Sequence, residues 1–489
     1  MKYLQKSLHS IGVLFSSVLL YYAFDIEKMG WILAILSIVL LFQVISSVSR
    51  AVERIWYNTL FISTFFTLQY SFILRMIMEY NPLSIVVLLL AIIMYLIPMI
   101  MIQLLLSRYP VISFSVSFLI SELLFIKSPI GNQMFQIGVI ISDEPILSQF
   151  LEYTGVWGGS LWIMLMAYFL FITFNGSKKM LLPCVFLCIM TIFNSCDLNS
   201  FKYDNNKRKV DITIMSLKED SDIDSMMFIY NNTSDYLILP EAVKVIPKNA
   251  VEIDRFMTKL YRLSERTGSR IIAGIYTNQG DERYNEVYSI NKRIDFLRGK
   301  KLLVPFAEYL PEVFNISTAI NDIIPHPTIS ASNYSEIHND GHVTYSPLIC
   351  YEALFTEFVS EISRKGADLI FVSSSNTFVG SEHIESIIRK IIRANAIITR
   401  RNIVRASASG LSYFIDSYGR ILAQCQNKSD FLRKIIEIGD TNSFYVKNRE
   451  VVDSVYCCLL ILLLFFVKIT HNKSLLLNLA NLGFSWKFN

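Results

Sequence analysis

The chain has 489 residues, room for two or three domains, and 53% of them are hydrophobic. Its 45 Lys and Arg against 41 Asp and Glu leave a formal net charge of +4, too small and too dispersed for a nucleic-acid-binding protein. Its seven cysteines follow no metal or disulfide spacing, so no disulfide framework is implied.

A helix that crosses the hydrocarbon core needs about 20 largely apolar residues. In chain order, candidate spans are 7–24, 30–48, 56–76, 83–106, 111–126, 155–174 and 180–195, with an eighth at 451–467. The first has no small-residue cleavage site and is followed by more spans, which makes it a retained helix. Cys184, Cys188, Cys457 and Cys458 fall inside these runs, where a thiol behaves as a small apolar residue; Cys196 lies at a membrane edge.

With the N-terminus inside, the inner segments hold Lys2, Lys6, Arg50, Arg54, Arg108, Lys178, Lys179, Lys468, Lys473 and Lys487. The short outer loops hold only Lys28, Arg75 and Lys127. Positive charge therefore gathers on one side, as the positive-inside rule requires. Seven crossings put residues 196–450 on the outer face, and the eighth returns 468–489 to the cytoplasm. The spans carry almost no ionisable residues and no half-and-half repeat, which argues for an anchor or a lipid-facing platform and against a transporter.

Between 209 and 447 the pattern changes to short β-rich runs alternating with helices. Strand candidates are Val210–Met215, Asp235–Leu239, Arg270–Tyr276, Glu286–Ile290, Thr344–Cys350, Asp368–Ser373, Ile403–Ser407 and Ser412–Asp416. Val251–Thr267 and Glu382–Thr399 read as helices, and the last two strands, joined through Asp416-Ser-Tyr-Gly-Arg420, as a hairpin with a glycine turn. This is a layered α/β domain. The polar stretch 328–343 reads as a mobile lid. His326, His338, His342 and His383 have no metal-ligand spacing and read as surface or lid residues.

Three apolar runs in this domain end in groups that carry chemistry: Leu239-Pro-Glu241, the segment closing on Lys300, and Ser346-Pro-Leu-Ile-Cys350. A thiol is nucleophilic only as thiolate; a carboxylate takes its proton and an ammonium stabilises the charge. Glu241 and Lys300 supply those groups to Cys350, with Lys300 and the Tyr351 amide facing the oxyanion. Singly, each has a bland reading: a core cysteine, a Pro-Glu turn, a solvated Lys-Lys pair. Jointly they indicate Cys-dependent acyl transfer or amide hydrolysis, and the residues alone do not choose between these.

These residues resemble the Glu-Lys-Cys triad of the nitrilase superfamily, and within it the apolipoprotein N-acyltransferase family. Lys300-Lys-Leu-Leu-Val-Pro-Phe-Ala-Glu308 is similar to that family's Lys-x-x-Leu-Val-Pro-Phe-Gly-Glu, in a register that selects Lys300 over Lys301. Ile349-Cys-Tyr-Glu352, Asn402–Gly410, Ile415–Arg420, Gly131–Gln136 and Gly155-Val-Trp-Gly158 resemble further family segments, so the similarity spans nearly the whole chain. The resemblance implies a polytopic bundle of about eight transmembrane helices plus an αββα sandwich. It divides the chain into 1–195, a catalytic domain at 196–450, a last helix at 451–467 and a tail at 468–489.

The implied reaction has two steps. Cys350, deprotonated by Glu241, takes an acyl chain from a membrane phospholipid as a thioester, then passes it to the α-amine of the N-terminal diacylglyceryl-cysteine of an apolipoprotein. Glu308, Tyr351 and Glu352 match supporting positions, and no metal or organic cofactor is implied. In a bacterium the domain would lie on the periplasmic face of the inner membrane. Leu239 stands where the family has Trp, Ala307 replaces a glycine, and Ser375-Asn-Thr-Phe-Val-Gly380 replaces Asn-Asp-x-Trp-Phe-Gly; these departures bear on substrate fit. The competing readings are a membrane-tethered amidase and a non-catalytic lipid-binding component.

Overall fold

The computed structural model describes residues 2–71, 84–193, 208–216, 223–241, 250–280, 282–305, 307–309, 329–332, 337–375, 381–426, 430–439 and 443–471. The N-terminal region is helical: α1 (Lys2–Asp25), α2 (Gly30–Ser47), α3 (Ala51–Gln69), α4 (Ser84–Leu105), α5 (Pro110–Ile126), α6 (Leu151–Phe174) and α7 (Leu181–Phe193). A helix thus occupies the described part of each predicted span there. Among the described residues, four stretches are long and apolar enough to cross a membrane: Tyr3–Asp25, Gly30–Ser47, Leu88–Leu105 and Leu151–Phe174. The count of eight is not met on those terms. Helix α3 opens on Glu53 and Arg54, while α5 and α7 have only 17 and 13 residues.

The bundle is apolar inside and out. Phe42, Phe61, Phe65, Phe66, Phe114 and Phe118 fill its core. On α4, Leu89, Ile93, Ile97, Met101 and Leu104 form an exposed stripe at helical spacing. Water would not tolerate such a surface on a stable monomer, whereas acyl chains match it. Buried polar groups pair between helices, as Ser16 Oγ donates to the Ser37 carbonyl at 2.7 Å and Asn58 Nδ2 to Gln103 Oε1 at 3.0 Å. Loops expected on one side do gather at one end: Lys6 meets Glu53 at 3.1 Å, and Arg54 donates to the Ser107 carbonyl at 2.6 Å.

Two six-stranded sheets follow. The first has the order β12 (Asp430–Ile438), β1 (Arg208–Ser216), β2 (Tyr236–Ile238), β3 (Arg270–Gln279), β4 (Glu282–Ile290), β5 (Ile294–Gly299). The second runs β11 (Ile421–Gln426), β10 (Leu411–Ile415), β9 (Asn402–Ala408), β8 (Leu369–Ser375), β7 (Thr344–Ile349), β6 (His338–Asn339). Their inner faces share a core of Ile212, Tyr236, Ile272, Tyr345, Phe371 and Val404. Helices α8 (Ile223–Ile229) and α9 (Ala250–Thr267) cover the first sheet; α10 (Thr356–Arg364) and α11 (Glu382–Thr399) cover the second. The result is the expected layered sandwich.

Several details depart from expectation. The Asp416–Arg420 turn joins β10 to β11, a strand the sequence reading did not place, while β9 reaches β10 through Ser409 and Gly410. Of the stretch read as a lid, 328 and 333–336 lie outside the described residues; His338 and Asn339 pair with Tyr345 and Thr344 at the sheet edge. His383 is buried, its ring stacked on Tyr21 at 4.0 Å and its Nε2 3.0 Å from Gln69 Oε1, because α11 packs onto the bundle. The last helix, α12, runs from Phe444 to His471, with a kink at Asn448, so it begins before the predicted 451. Tyr445 on that helix lies against Gly155, whose φ of 63° suits glycine; a Cβ there would sit 2.6 Å from the ring.

Helix α11 belongs to both halves of the protein. Ile384, Ile387, Ile391 and Ile398 join the bundle core, while Ile392 and Ala396 pack on the second sheet. Buried charge reinforces the contact, since Asp143 pairs with Lys390 and, at 2.7 Å, with Arg393. Asp143→Asn would leave two buried cations without an anion and should destabilise the protein by about 2–3 kcal/mol. Thermal unfolding in detergent micelles checks this, and an unchanged midpoint would show the pair to be dispensable.

Candidate active site

The three residues expected to form a triad, Glu241, Lys300 and Cys350, lie at the same end of the sandwich because the strands that deliver them run the same way. Strands β2 and β3 are parallel, β4 reverses and β5 reverses again, so β2 and β5 end together. Glu241 follows β2 and Lys300 follows β5, while Cys350 follows β7, which is parallel to β8. The two sheets are stapled at this end: Ser373 Oγ donates to the Leu239 carbonyl at 3.0 Å and Glu241 N to the Ser374 carbonyl at 3.3 Å.

Lys300 Nζ is buried between two carboxylates, at 3.2 Å from Glu241 Oε1 and 2.7 Å from Glu308 Oε1. Burial alone would lower its pKa; Glu241, Glu308 and the Cys350 sulfur overcome that and hold it well above the usual lysine value. Glu308, expected only to support, is therefore a direct partner of the lysine. Its Oε2 also accepts from Val304 N at 2.8 Å, and burial raises its carboxyl against the opposing pull of Lys300. Glu241 is further fixed by Asn285 Nδ2 at 2.7 Å on Oε1 and by Ser375 N at 3.0 Å on Oε2.

Cys350 has φ of 48°, a left-handed conformation that a non-glycine residue adopts only under constraint. It heads a 3₁₀ turn, Cys350–Leu354, directly after β7. The thiol donates toward the Ser375 carbonyl at 3.8 Å and accepts from Ser374 Oγ at 3.6 Å. Burial pushes its pKa up to about 12, Glu241 adds to the rise and Lys300 opposes it. The resting thiol therefore stays protonated at neutral pH and needs its base at the moment of attack.

Glu352 explains the strained turn. Its Oε1 accepts from Arg298 Nη2 at 2.5 Å and from Lys301 N at 2.7 Å, and its Oε2 accepts from Ile349 N at 2.9 Å. One fully buried carboxylate thus holds the backbone beside both Lys300 and Cys350. Tyr351 points instead to the bundle, where its side chain hydrogen-bonds Asn132 and its ring meets Phe355 edge-on at 4.9 Å. Tyr309 OH donates to the Pro129 carbonyl at 3.3 Å, so the lysine loop too abuts the helical region.

The sequence reading brought forward Glu241, Lys300, Cys350, Glu308, Tyr351 and Glu352, and all six fall in or around this site. It missed Asn285, Tyr276, Ser374 and Ser375. Asn285 and Tyr276 are cross-strand partners on β4 and β3. The Tyr276 phenol is raised by burial first and then by Glu241, with Lys300 opposing. A run of three serines closing an apolar strand, Ser373-Ser-Ser375, was the available signal for the other two. Of the altered loop at 375–380, only Ser375 lies within the described residues.

Residues 16–169 match the apolipoprotein N-acyltransferase N-terminal domain, and residues 226–435 match the carbon-nitrogen hydrolase family. The chain is 26% identical over 332 residues to an apolipoprotein N-acyltransferase of Rickettsia prowazekii, an alignment covering 61% of this chain and 64% of that one. A relative of the same name from Wigglesworthia glossinidia brevipalpis is 23% identical over 389 residues, covering 72% and 74%. The match thus spans just under two thirds of the Rickettsia relative's length. Among solved structures, a carbon-nitrogen hydrolase from Helicobacter pylori G27 is 12% identical with a TM-score of 0.37, covering 51% of this chain and 94% of its own, too slight a likeness to argue from.

Proposed function

As a chain that joins an apolipoprotein N-acyltransferase N-terminal domain to a carbon-nitrogen hydrolase domain, this membrane protein belongs to the nitrilase superfamily, and we propose that it moves a fatty acyl chain from phospholipid to a lipoprotein amine. One observation carries the reading: a thiol on a strained turn lies beside a lysine buried between two glutamates, and the next residue on that turn, Tyr351, packs on the apolar helices. A soluble amide would gain nothing from that placement. Two lipid substrates arriving along the bilayer avoid extraction into water, which costs about 0.8 kcal/mol per CH₂.

In the first step Glu241 takes the Cys350 proton as sulfur attacks the ester carbonyl of the donor. Lys300 Nζ, with the Tyr351 amide at the head of the 3₁₀ turn, stabilises the oxyanion. The proton held by Glu241 goes to the leaving alkoxide, lysophospholipid departs, and an acyl thioester remains on Cys350. In the second step the α-amine of a diacylglyceryl-cysteine attacks the thioester. Glu241 accepts a proton from the amine and returns it to the Cys350 sulfur as the amide forms. Glu308 keeps Lys300 aimed, and Glu352 fixes the backbone that carries both.

On this reading residues 1–195 and 451–467 cross the bacterial inner membrane eight times, and 196–450 works on the periplasmic face. The basic residues at the opposite end of the bundle from the sandwich support that orientation.

Intact-mass spectrometry of the purified protein after incubation with phospholipid tests the proposal. A fatty-acyl adduct that hydroxylamine removes, and that Cys350→Ala lacks, is the expected result. Folded, lipid-bound protein that gains no adduct but releases ammonia from small amides would overturn it in favour of amide hydrolysis.

A further inference from the structure

The triad is short of positive charge. Among the described residues, its own Lys300 is the cation in direct contact with the carboxylates, and it already serves two of them, Glu241 and Glu308. A thiolate formed beside them adds a third anion, and Tyr276, the other titratable group facing the site from β3, offers no charge at neutral pH. The geometry supplies a second cation from the other side of the sheet. Arg405 on β9 is fully buried and reaches Ser374 Oγ with Nη2 at 3.2 Å; Ser374 Oγ in turn donates to Cys350 Sγ at 3.6 Å.

The register explains this chain. Val372 pairs with Arg405 and Ser374 with Ser407, so Ser374 and Arg405 point to the helix-covered face of the second sheet. Cys350 follows Ile349, whose partner is Ser373, and so lies beside Ser374. The guanidinium is held from every element around it. Glu385 on α11 pairs with it, the Leu411 carbonyl accepts from Nη1 at 3.1 Å, and the Tyr413 ring lies 5.4 Å from Cζ. The Ser374 bond lowers the thiol pKa against burial and Glu241, and the Cys350 charge acts in turn on Arg405.

We propose that Ser374 and Arg405, anchored by Glu385, are positioning residues that aim the Cys350 sulfur and stabilise its thiolate from the side opposite Lys300. Arg405 orients the Ser374 hydroxyl so that its hydrogen points at sulfur. The Cys350 proton still leaves to Glu241, and the hydroxyl keeps its own. The role rests on the reading of Cys350 as nucleophile but not on the identity of the acyl donor.

The test is the pH dependence of Cys350 alkylation by iodoacetamide in the full-length protein in detergent, followed by intact mass. Ser374→Ala should alkylate roughly 10- to 100-fold more slowly at pH 8, with its profile displaced to higher pH, and Ser374→Thr should restore the parent profile. Arg405→Lys should fall between parent and Ser374→Ala. A Ser374→Ala profile that overlays the parent overturns the proposal, as does a uniformly slowed rate with no displacement. Unaltered alkylation of the parent by phospholipid-independent chemistry keeps this outcome separate from any failure to find an acyl adduct.

Discussion

Glu241→Gln is expected to fold normally and to form the acyl-enzyme more slowly by roughly a thousandfold, within the range that a general base contributes. The substitution keeps size and keeps an acceptor for Asn285 Nδ2 and Lys300 Nζ, losing only the bond from Ser375 N. What it cannot do is take a proton. With the thiol held at about 12 by burial and by Glu241, spontaneous thiolate at neutral pH is scarce, though losing the Glu241 charge offsets part of that. The loss should appear in kcat with little change in KM, because no donor contact is removed. Single-turnover acylation followed by mass measures it, with Glu308→Gln as the companion variant. If Glu241→Gln acylates within tenfold of the parent while Glu308→Gln does not, the base has been assigned to the wrong carboxylate.

Glu352→Ala should be more damaging than any other change in the domain, lowering stability by about 3–5 kcal/mol and silencing Cys350 together. Arg298 and Glu352 are each completely buried, so removing the acid strands a guanidinium that keeps the Pro347 and Gly299 carbonyls and the Phe358 face as company. It also frees the amides of Ile349 and Lys301, and the left-handed turn at Cys350 loses its restraint. Glu352→Gln should cost less, since its Oε1 can still accept from Arg298. Thermal unfolding in detergent and Cys350 alkylation, run side by side on both variants, read the two effects. An alanine variant with the parent's midpoint and reactivity would contradict this account.

The proximity of Glu241, Lys300 and Cys350 was legible because each ends an apolar run, and the strand directions carry those run ends to one edge. Lys300 was separable from Lys301 only by motif register; in the structure Lys300 is buried and Lys301 is exposed. Asn285 was not legible, because one amide in a β-strand gives no sign of which carboxylate it meets across the sheet. His383 was misread for a similar reason: its burial depends on Tyr21 and Gln69, more than 300 residues earlier in the chain. Helix α11 itself was placed to the residue, Glu382–Thr399, yet its second apolar face gave no indication that it would be shared with the bundle.

That shared helix has a practical corollary. A gene fragment encoding only the sandwich would present Ile384, Ile387, Ile391 and Ile398 to water, along with Lys390 and Arg393 stripped of Asp143. Such a fragment should aggregate, so crystallographers and screeners need the whole polypeptide. Packed on both the bundle and the second sheet, the same helix should also resist rocking of the sandwich on its base. On the proposed function, acyl chains reaching Cys350 would then be accommodated by surface segments around a fixed thiol.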